Sequence, residues 1–295
     1  MKPQPSILSA TATRRAWRRV FKRLWLGSIG GLMMFGLSDI PAGASAWSQK
    51  PGEGLAILNY RYYQTDKAFT ENGALITNDN GGSFEQHEAN LYIEYGLPKD
   101  LTLIGNFFFQ HVTSSDDDAT NSNFGFSQQE VGLRWQFSHG IAQAFQFKFG
   151  FPGGYSANSE PLLSNNQCDF ELLYFIGDSF TLAKRNAFWS LGGGYRLRTG
   201  APADQLRWLA TAGYNLSRHF EIFGQLEGIH GLGNGREQKV DNISITTDYT
   251  LLKASLNLAY HIDDRWTLSA GPFVHYYGKN TGGGGGVLAS LWYRF

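Results

Sequence analysis

Ala89–Phe109, ANLYIEYGLPKDLTLIGNFFF, decides how the rest of the chain is read. Its first limb sets Ala89, Leu91, Ile93 and Tyr95 on one face and Asn90, Tyr92, Glu94 and Gly96 on the other, the period of two that belongs to a strand. Leu97-Pro98-Lys99-Asp100 carries turn residues. The second limb alternates again, with Leu101, Leu103, Gly105, Phe107 and Phe109 opposing Thr102, Ile104, Asn106, Phe108 and Gln110. Two strands of about ten residues joined by a tight turn make a hairpin whose tilted length crosses a bilayer.

The same test applied outward predicts twelve strands, at 54–64, 84–96, 101–112, 126–137, 141–151, 167–177, 187–199, 205–216, 220–230, 249–262, 266–278 and 287–295. Their connections alternate in length. Short turns fall at 97–100, 138–140, around 184–186, at 217–219 and at 263–265. Longer loops rich in Gly, Asn, Asp and Ser fall at 65–83, 113–125, 152–166, 231–248 and 279–286, with a modest one at 200–204. An even strand count with short turns at one end predicts an all-β fold, a twelve-stranded antiparallel transmembrane up-and-down β-barrel. Tyrosines before three short turns (Tyr95, Tyr214 and Tyr260), with Phe137 at a fourth, predict an aromatic girdle at that rim. The last strand, with Val287, Ala289, Leu291, Tyr293 and Phe295 on one face, pairs with the first and so removes two exposed edges. Its terminal phenylalanine has the form of a signal to the outer-membrane assembly machinery.

Charge supports the same compartment. Of the 25 basic and 25 acidic residues, seven bases and one acid lie in the first 46 positions, leaving the remainder with a net charge of −6. That balance argues against nucleic acid as a partner. A basic leader, an apolar run over 24–37 and Ala44-Ser45-Ala46 before Trp47 read as a cleaved secretory signal over 1–46, with the barrel over 47–295. A single cysteine, Cys168, leaves no internal disulfide to form. The expected location is the outer membrane of a Gram-negative cell.

Taking the apolar face of each strand as lipid-facing places Arg61, Glu88, Glu94, Glu130, Arg134, Lys148, Asp169, Glu171, Arg196, Arg198, Arg207, Glu221, Glu227 and Lys253 on the wet face. An Arg or Lys turned to lipid at mid-depth costs roughly 2–4 kcal/mol, so this segregation is what a membrane wall requires. All but Glu88 are the candidate pore lining, with Glu94, Glu130, Arg134, Arg196, Arg198 and Arg207 as the constriction. The balanced set has two readings: acids and bases pair across and fill the lumen, or they line a narrow wet path for small polar solutes. Tyr92, Phe108, Phe175, Phe188, Phe223, Phe273, Tyr277 and Trp292 join the wet face, where they either pack the wall or stack on a solute. Acids in the outer loops, twelve against four bases, offer divalent cations a bridge to lipopolysaccharide. Gly282 to Gly286 reads as a flexible strand entry.

Chemistry-bearing motifs are sparse. No H-E-x-x-H and no G-x-S-x-G occurs. His111 near Ser114 and Ser115, together with His230, are the rim residues that a lipid hydrolase would use. The expectation is no enzyme, no cofactor and no metal.

Tyr95-Gly96-Leu97-Pro98-Lys99-Asp100-Leu101-Thr102-Leu103 resembles the repeated turn of the outer-membrane transporter family named for the meta-pathway of phenol degradation. Gly213-Tyr214-Asn215-Leu216-Ser217-Arg218 and Ala259-Tyr260-His261-Ile262-Asp263-Asp264 are weaker copies. The resemblance implies passive uptake of small solutes, small aromatic or apolar compounds among them. The long-chain fatty-acid transporters match less well, because strand one follows the cleavage site by about eight residues and leaves no room for a plug. The alternatives are a filled structural or adhesive barrel and a lipid-modifying hydrolase.

Overall fold

A computed structural model describes residues 46–154, 161–164, 167–236, 238–240, 243–245 and 248–295. Apart from Ala46, the expected signal segment lies outside these residues, as do parts of the loops at 152–166 and 231–248. Twelve strands close on themselves: β1 Gly54–Thr65, β2 Ser83–Leu97, β3 Leu101–Ser115, β4 in two pieces (Thr120–Phe126 and Gln128–Ser138), β5 Ala142–Pro152, β6 Asp169–Leu182, β7 Arg185–Arg198, β8 Gln205–Asn215, β9 Phe220–Gly231, β10 Thr250–His261, β11 Trp266–Lys279 and β12 Gly285–Arg294. Every neighbour in sequence is an antiparallel neighbour in the sheet, and β1 pairs with β12 from Leu55↔Arg294 to Gln64↔Gly285. At the short-turn rim the amide of Gly54 donates to Phe295 O (2.7 Å) and that of Phe295 to Gly54 O (3.0 Å), finishing the ladder.

The turns follow from local chemistry. Ala183 and Lys184 both take positive φ between Leu182 and Arg185, the left-handed pair that suits the twist of a two-residue hairpin. Lys99 and Asp100 do the same after Pro98. β4 is interrupted at Ser127, where its register against β3 shifts by one residue. The side-chain amide of Gln129 repairs the break, accepting from the Phe108 amide (3.0 Å) and donating to the Phe108 carbonyl (2.9 Å).

Two expectations about the loops need correction. The segment 113–125 is mainly strand, because β3 and the first piece of β4 continue upward as a paired hairpin. The glycines before β12 do not serve as a flexible entry: a Cβ on Gly286 would stand 1.7 Å from Tyr62 O and one on Gly284 2.1 Å from Gln64 O. Glycine is there so that β12 can lie close against β1. Beyond the barrel, Lys67–Phe69, Leu75–Thr77 and Thr281–Gly282 form a small sheet that ties the first long loop to the last.

The two faces of the wall separate as the alternation requires. Leu58, Leu103, Phe147, Leu172, Leu191 and Leu256 are exposed on the outside, Leu58 by 53%. Trp135, Phe137, Phe220, Tyr260, Trp266, Tyr293 and Phe295 ring the short-turn rim in contacting pairs such as Trp266–Tyr293 (4.5 Å) and Phe220–Tyr260 (5.1 Å). The inside is buried and mixed, with charges and amides set among apolar clusters such as Ile57, Ile104, Phe223 and Trp292. Replacing Leu58 by Arg should therefore destabilise the lipid-embedded barrel by roughly 2–4 kcal/mol, read from urea unfolding in vesicles. The same substitution at the exposed Asp117 on the upper hairpin should leave it unchanged.

Candidate functional site: the charged lumen

Because successive residues of a strand face opposite sides, the odd positions of β6 and the even positions of β7 are forced inward, and their charges meet. Glu171 of β6 is the hub. It takes Lys148 of β5 at 2.9 Å, Arg196 of β7 at 2.8 Å and Arg207 of β8 at 2.7 Å. Lys148 and Arg196 also reach Glu130 of β4, at 3.0 and 2.9 Å, so Arg196 spans the two intervening strands. Asp169 lies 3.7 Å from Arg196 and 3.6 Å from Arg198, and it accepts from the side chains of Gln128 and Gln167 at 2.9 Å each.

The other inward charges pair separately. Glu94 and Arg134, both fully buried, meet at 2.8 Å across β3. Arg134 also donates to Gln146 Oε1 (2.9 and 3.1 Å), and Tyr92 OH donates to Glu94. Arg61 pairs with Glu88 at 2.9 Å, and Lys253 with Glu227 at 2.7 Å beneath the Phe273 ring. Glu221, nearer the short-turn rim, lies 3.7 Å from His261. All thirteen sequence-predicted residues thus turn inward, but they do not form one constriction. Glu130, Arg196, Arg198 and Arg207 are brought together, whereas Glu94 and Arg134 form a second cluster towards the short-turn rim. A recess lined by Lys148, Glu171, Phe175, Arg207 and Glu227 has a volume of about 20 Å³, enough for little more than a single water.

The second cluster holds something that residue patterning missed. Residues 46–50 form no strand, yet they enter the lumen and run along the wall from β2 to β7. Arg134 donates to Trp47 O (2.8 Å). The Ser48 amide and hydroxyl both donate to Gln136 Oε1 (2.7 and 3.0 Å), the Gln49 amide donates to Thr102 Oγ1 (2.9 Å), and the Gln49 side chain donates to Glu94 (2.7 Å). Short as it is, the stretch before β1 lies inside the barrel against its wall at this end, where the expectation was that no segment would enter. One signal was present in the sequence: a Cβ on Gly96 would fall 2.0 Å from Lys50 O, so the glycine of the Tyr-Gly-Leu motif makes room for the segment.

At the long-loop rim the lumen is capped as well. Leu162 and Leu163 pack against Tyr63, Phe84, Val112, Phe273 and Leu288, and Gln110 donates to Leu163 O. Asp204 ties two outer loops together, accepting from Tyr195 OH (2.6 Å), the Arg198 amide (2.7 Å) and the Asn234 side chain (2.8 Å). Burial pushes the Asp204 carboxyl up, but these hydrogen bonds pull it down further, so it sits below the ordinary aspartate value.

The rim histidines are occupied otherwise than a hydrolase would need. His111 lies against His87 (6.3 Å between rings), and His230 meets Thr250 Oγ1 at 3.2 Å. Among the described residues no hydrogen bond joins either to a serine, and no group of His, Cys, Asp or Glu has the arrangement of a metal site.

No protein-family model and no curated protein matches the chain in sequence. Among solved structures, the COG4313 outer membrane channel from Pseudomonas putida F1 superposes with a TM-score of 0.68 at 15% identity, covering 87% of this chain and 100% of that one. The translocator domain of the autotransporter NalP from Neisseria meningitidis gives 0.46 at 14% identity, covering 99% and 100%. The KdgM porin gives 0.42 at 10%, covering 81% and 99%. The first of these places the fold among outer-membrane barrels; the other two are too distant to carry an argument.

Two measurements check the geometry. Glu171→Ala leaves three buried cations short of a partner and should cost about 3–5 kcal/mol of barrel stability, whereas truncating the exposed Glu53 should cost less than about 1 kcal/mol. A carboxyl held below its ordinary value contributes fully above that value and loses its contribution as pH falls through the depressed one. The protection of the Arg198 and Leu232 amides, measured against their intrinsic exchange rate at each pH, should therefore fall on acidification through that range, and in Asp204→Ala it should be low at every pH.

Proposed function

We propose that this chain is an outer-membrane channel that passes small solutes passively along the barrel axis. The observation that carries the reading is a lumen lined by paired charges and neutral amides while the outer wall is apolar. Asn59, Asn90, Asn106 and Ser290 form a hydrogen-bonded band that continues the charged clusters. A path lined in this way suits neutral or zwitterionic solutes, because its balanced charges leave little net field to select ions. The likeness of fold to a solved outer membrane channel supports the same reading. The turn motif at Tyr95 to Leu103 supports the resemblance to the phenol meta-pathway family, and that resemblance, with the inward aromatics, supports a reading in which small aromatic compounds are among the solutes. The acidic outer loops are suited to lipopolysaccharide through divalent cations.

A filled barrel serving structure or adhesion is the second reading. The observation in its favour is that the inward charges pair across the lumen, as Arg196 does with Glu130 and Arg134 with Glu94. Planar-bilayer recording separates the two. The channel reading expects small discrete steps with little preference between potassium and chloride. The steps should grow severalfold in Gln136→Ala, which releases Ser48. No steps from either protein would sink it in favour of the filled barrel.

A further inference from the structure

The indole of Trp47 has a seat of its own. Beneath it, Ala142, Leu173, Phe175 and Leu209 form a buried apolar cluster on the inner faces of β5, β6 and β8; Ala46, the last residue of the expected leader, lies beside them and is no part of the seat in the mature chain. Phe188 of β7 meets the indole edge-on, with ring centroids 6.5 Å apart and planes at 86°. Gly177 completes the hollow, since a Cβ there would stand 3.0 Å from Trp47 Cη2 and 3.1 Å from Ala46 Cβ. Polar groups hold the backbone beside it: Arg134 donates to Trp47 O and Gln136 accepts from Ser48. A second apolar cluster (Ile57, Tyr92, Ile104, Phe223 and Trp292) packs the far side of Phe188, and an apolar hollow with an edge-on aromatic partner suits a flat ring.

We propose that this seat is a binding site for one small aromatic ring, and that the chain's own Trp47 occupies it in place of a solute. Two features argue for exchange. Segment 46–50 makes no ladder with any strand; it is held by a few bonds from side chains, and water can satisfy the same groups. Trp47 itself is only half buried, so solvent reaches the indole in its seat. A ring entering there takes over the apolar contact, and the segment that narrows the short-turn mouth is then released. The proposal deepens the channel reading by naming the ring as substrate class, and it rests on that reading only in its conductance arm.

Trp47→Gly with indole as the probe tests it. Removing the side chain leaves a vacated apolar hollow, and such cavities take up ring compounds. The midpoint at which heat abolishes the compact gel band of Trp47→Gly should rise by several degrees in millimolar indole, while the wild type stays where it is. In planar bilayers the variant should conduct severalfold more than wild type, and indole should bring it back down. Leu209→Asn added to Trp47→Gly should remove both responses. An unchanged midpoint in Trp47→Gly overturns the binding site. A raised midpoint without any conductance upholds the site and removes the channel reading instead. Should Trp47→Gly fold poorly, indole present during refolding should restore the compact band, and failure to do so counts against the proposal.

Discussion

Closure of the sheet is the constraint from which the other features follow. A strand wall surrounded by lipid has no water to satisfy an exposed edge, so the amides and carbonyls of β1 must find those of β12. Once the ring is shut, each strand has an inner and an outer face, and a period of two assigns every side chain to one of them. With twelve strands the lumen is narrow enough for Arg196 to reach Glu130 across two intervening strands. Charges excluded from the oily side are thus held close enough to neutralise one another. The ion-pair network is a consequence of girth as much as of sequence.

Such pairs contribute less to stability than their number suggests. Each ion gives up hydration on entering the lumen, and the partner mainly restores what was lost. Their larger effect is on which arrangements are tolerated. Glu171 is held by Lys148, Arg196 and Arg207, so β5, β7 and β8 cannot slip against β6 without leaving a buried cation unmatched. A one-residue slip anywhere along these strands would turn the network into the lipid. The charges fix the register of the sheet that encloses them.

Alternation made most of this legible in the sequence. The strand boundaries, the inward residues and the girdle all depend on a local period and on turn chemistry, both carried by neighbours in the chain. The grouping of charges was not legible, because whether Glu94 meets Arg134 or Arg196 depends on where around the circumference each strand stands. Segment 46–50 was harder still. Ser48 and Gln136 are 88 positions apart, the segment has no period, and its contacts run to side chains and not along a ladder. Only Gly96 hinted at it, and in a hairpin the natural interpretation of glycine is a turn. The glycines before β12 misled in the same way, since flexibility and close approach call for the same residue.

The small sheet that joins Lys67–Phe69 to Thr281–Gly282 bears on where a passenger could leave. The junction of the first and last strands is the natural place for a barrel wall to part sideways. Here it is fastened at both ends, by Gly54 with Phe295 at one rim and by Phe69 with Thr281 at the other, while Gly286 lets the two strands lie flush between. A wall stitched in this manner offers no sideways exit into the bilayer at that junction.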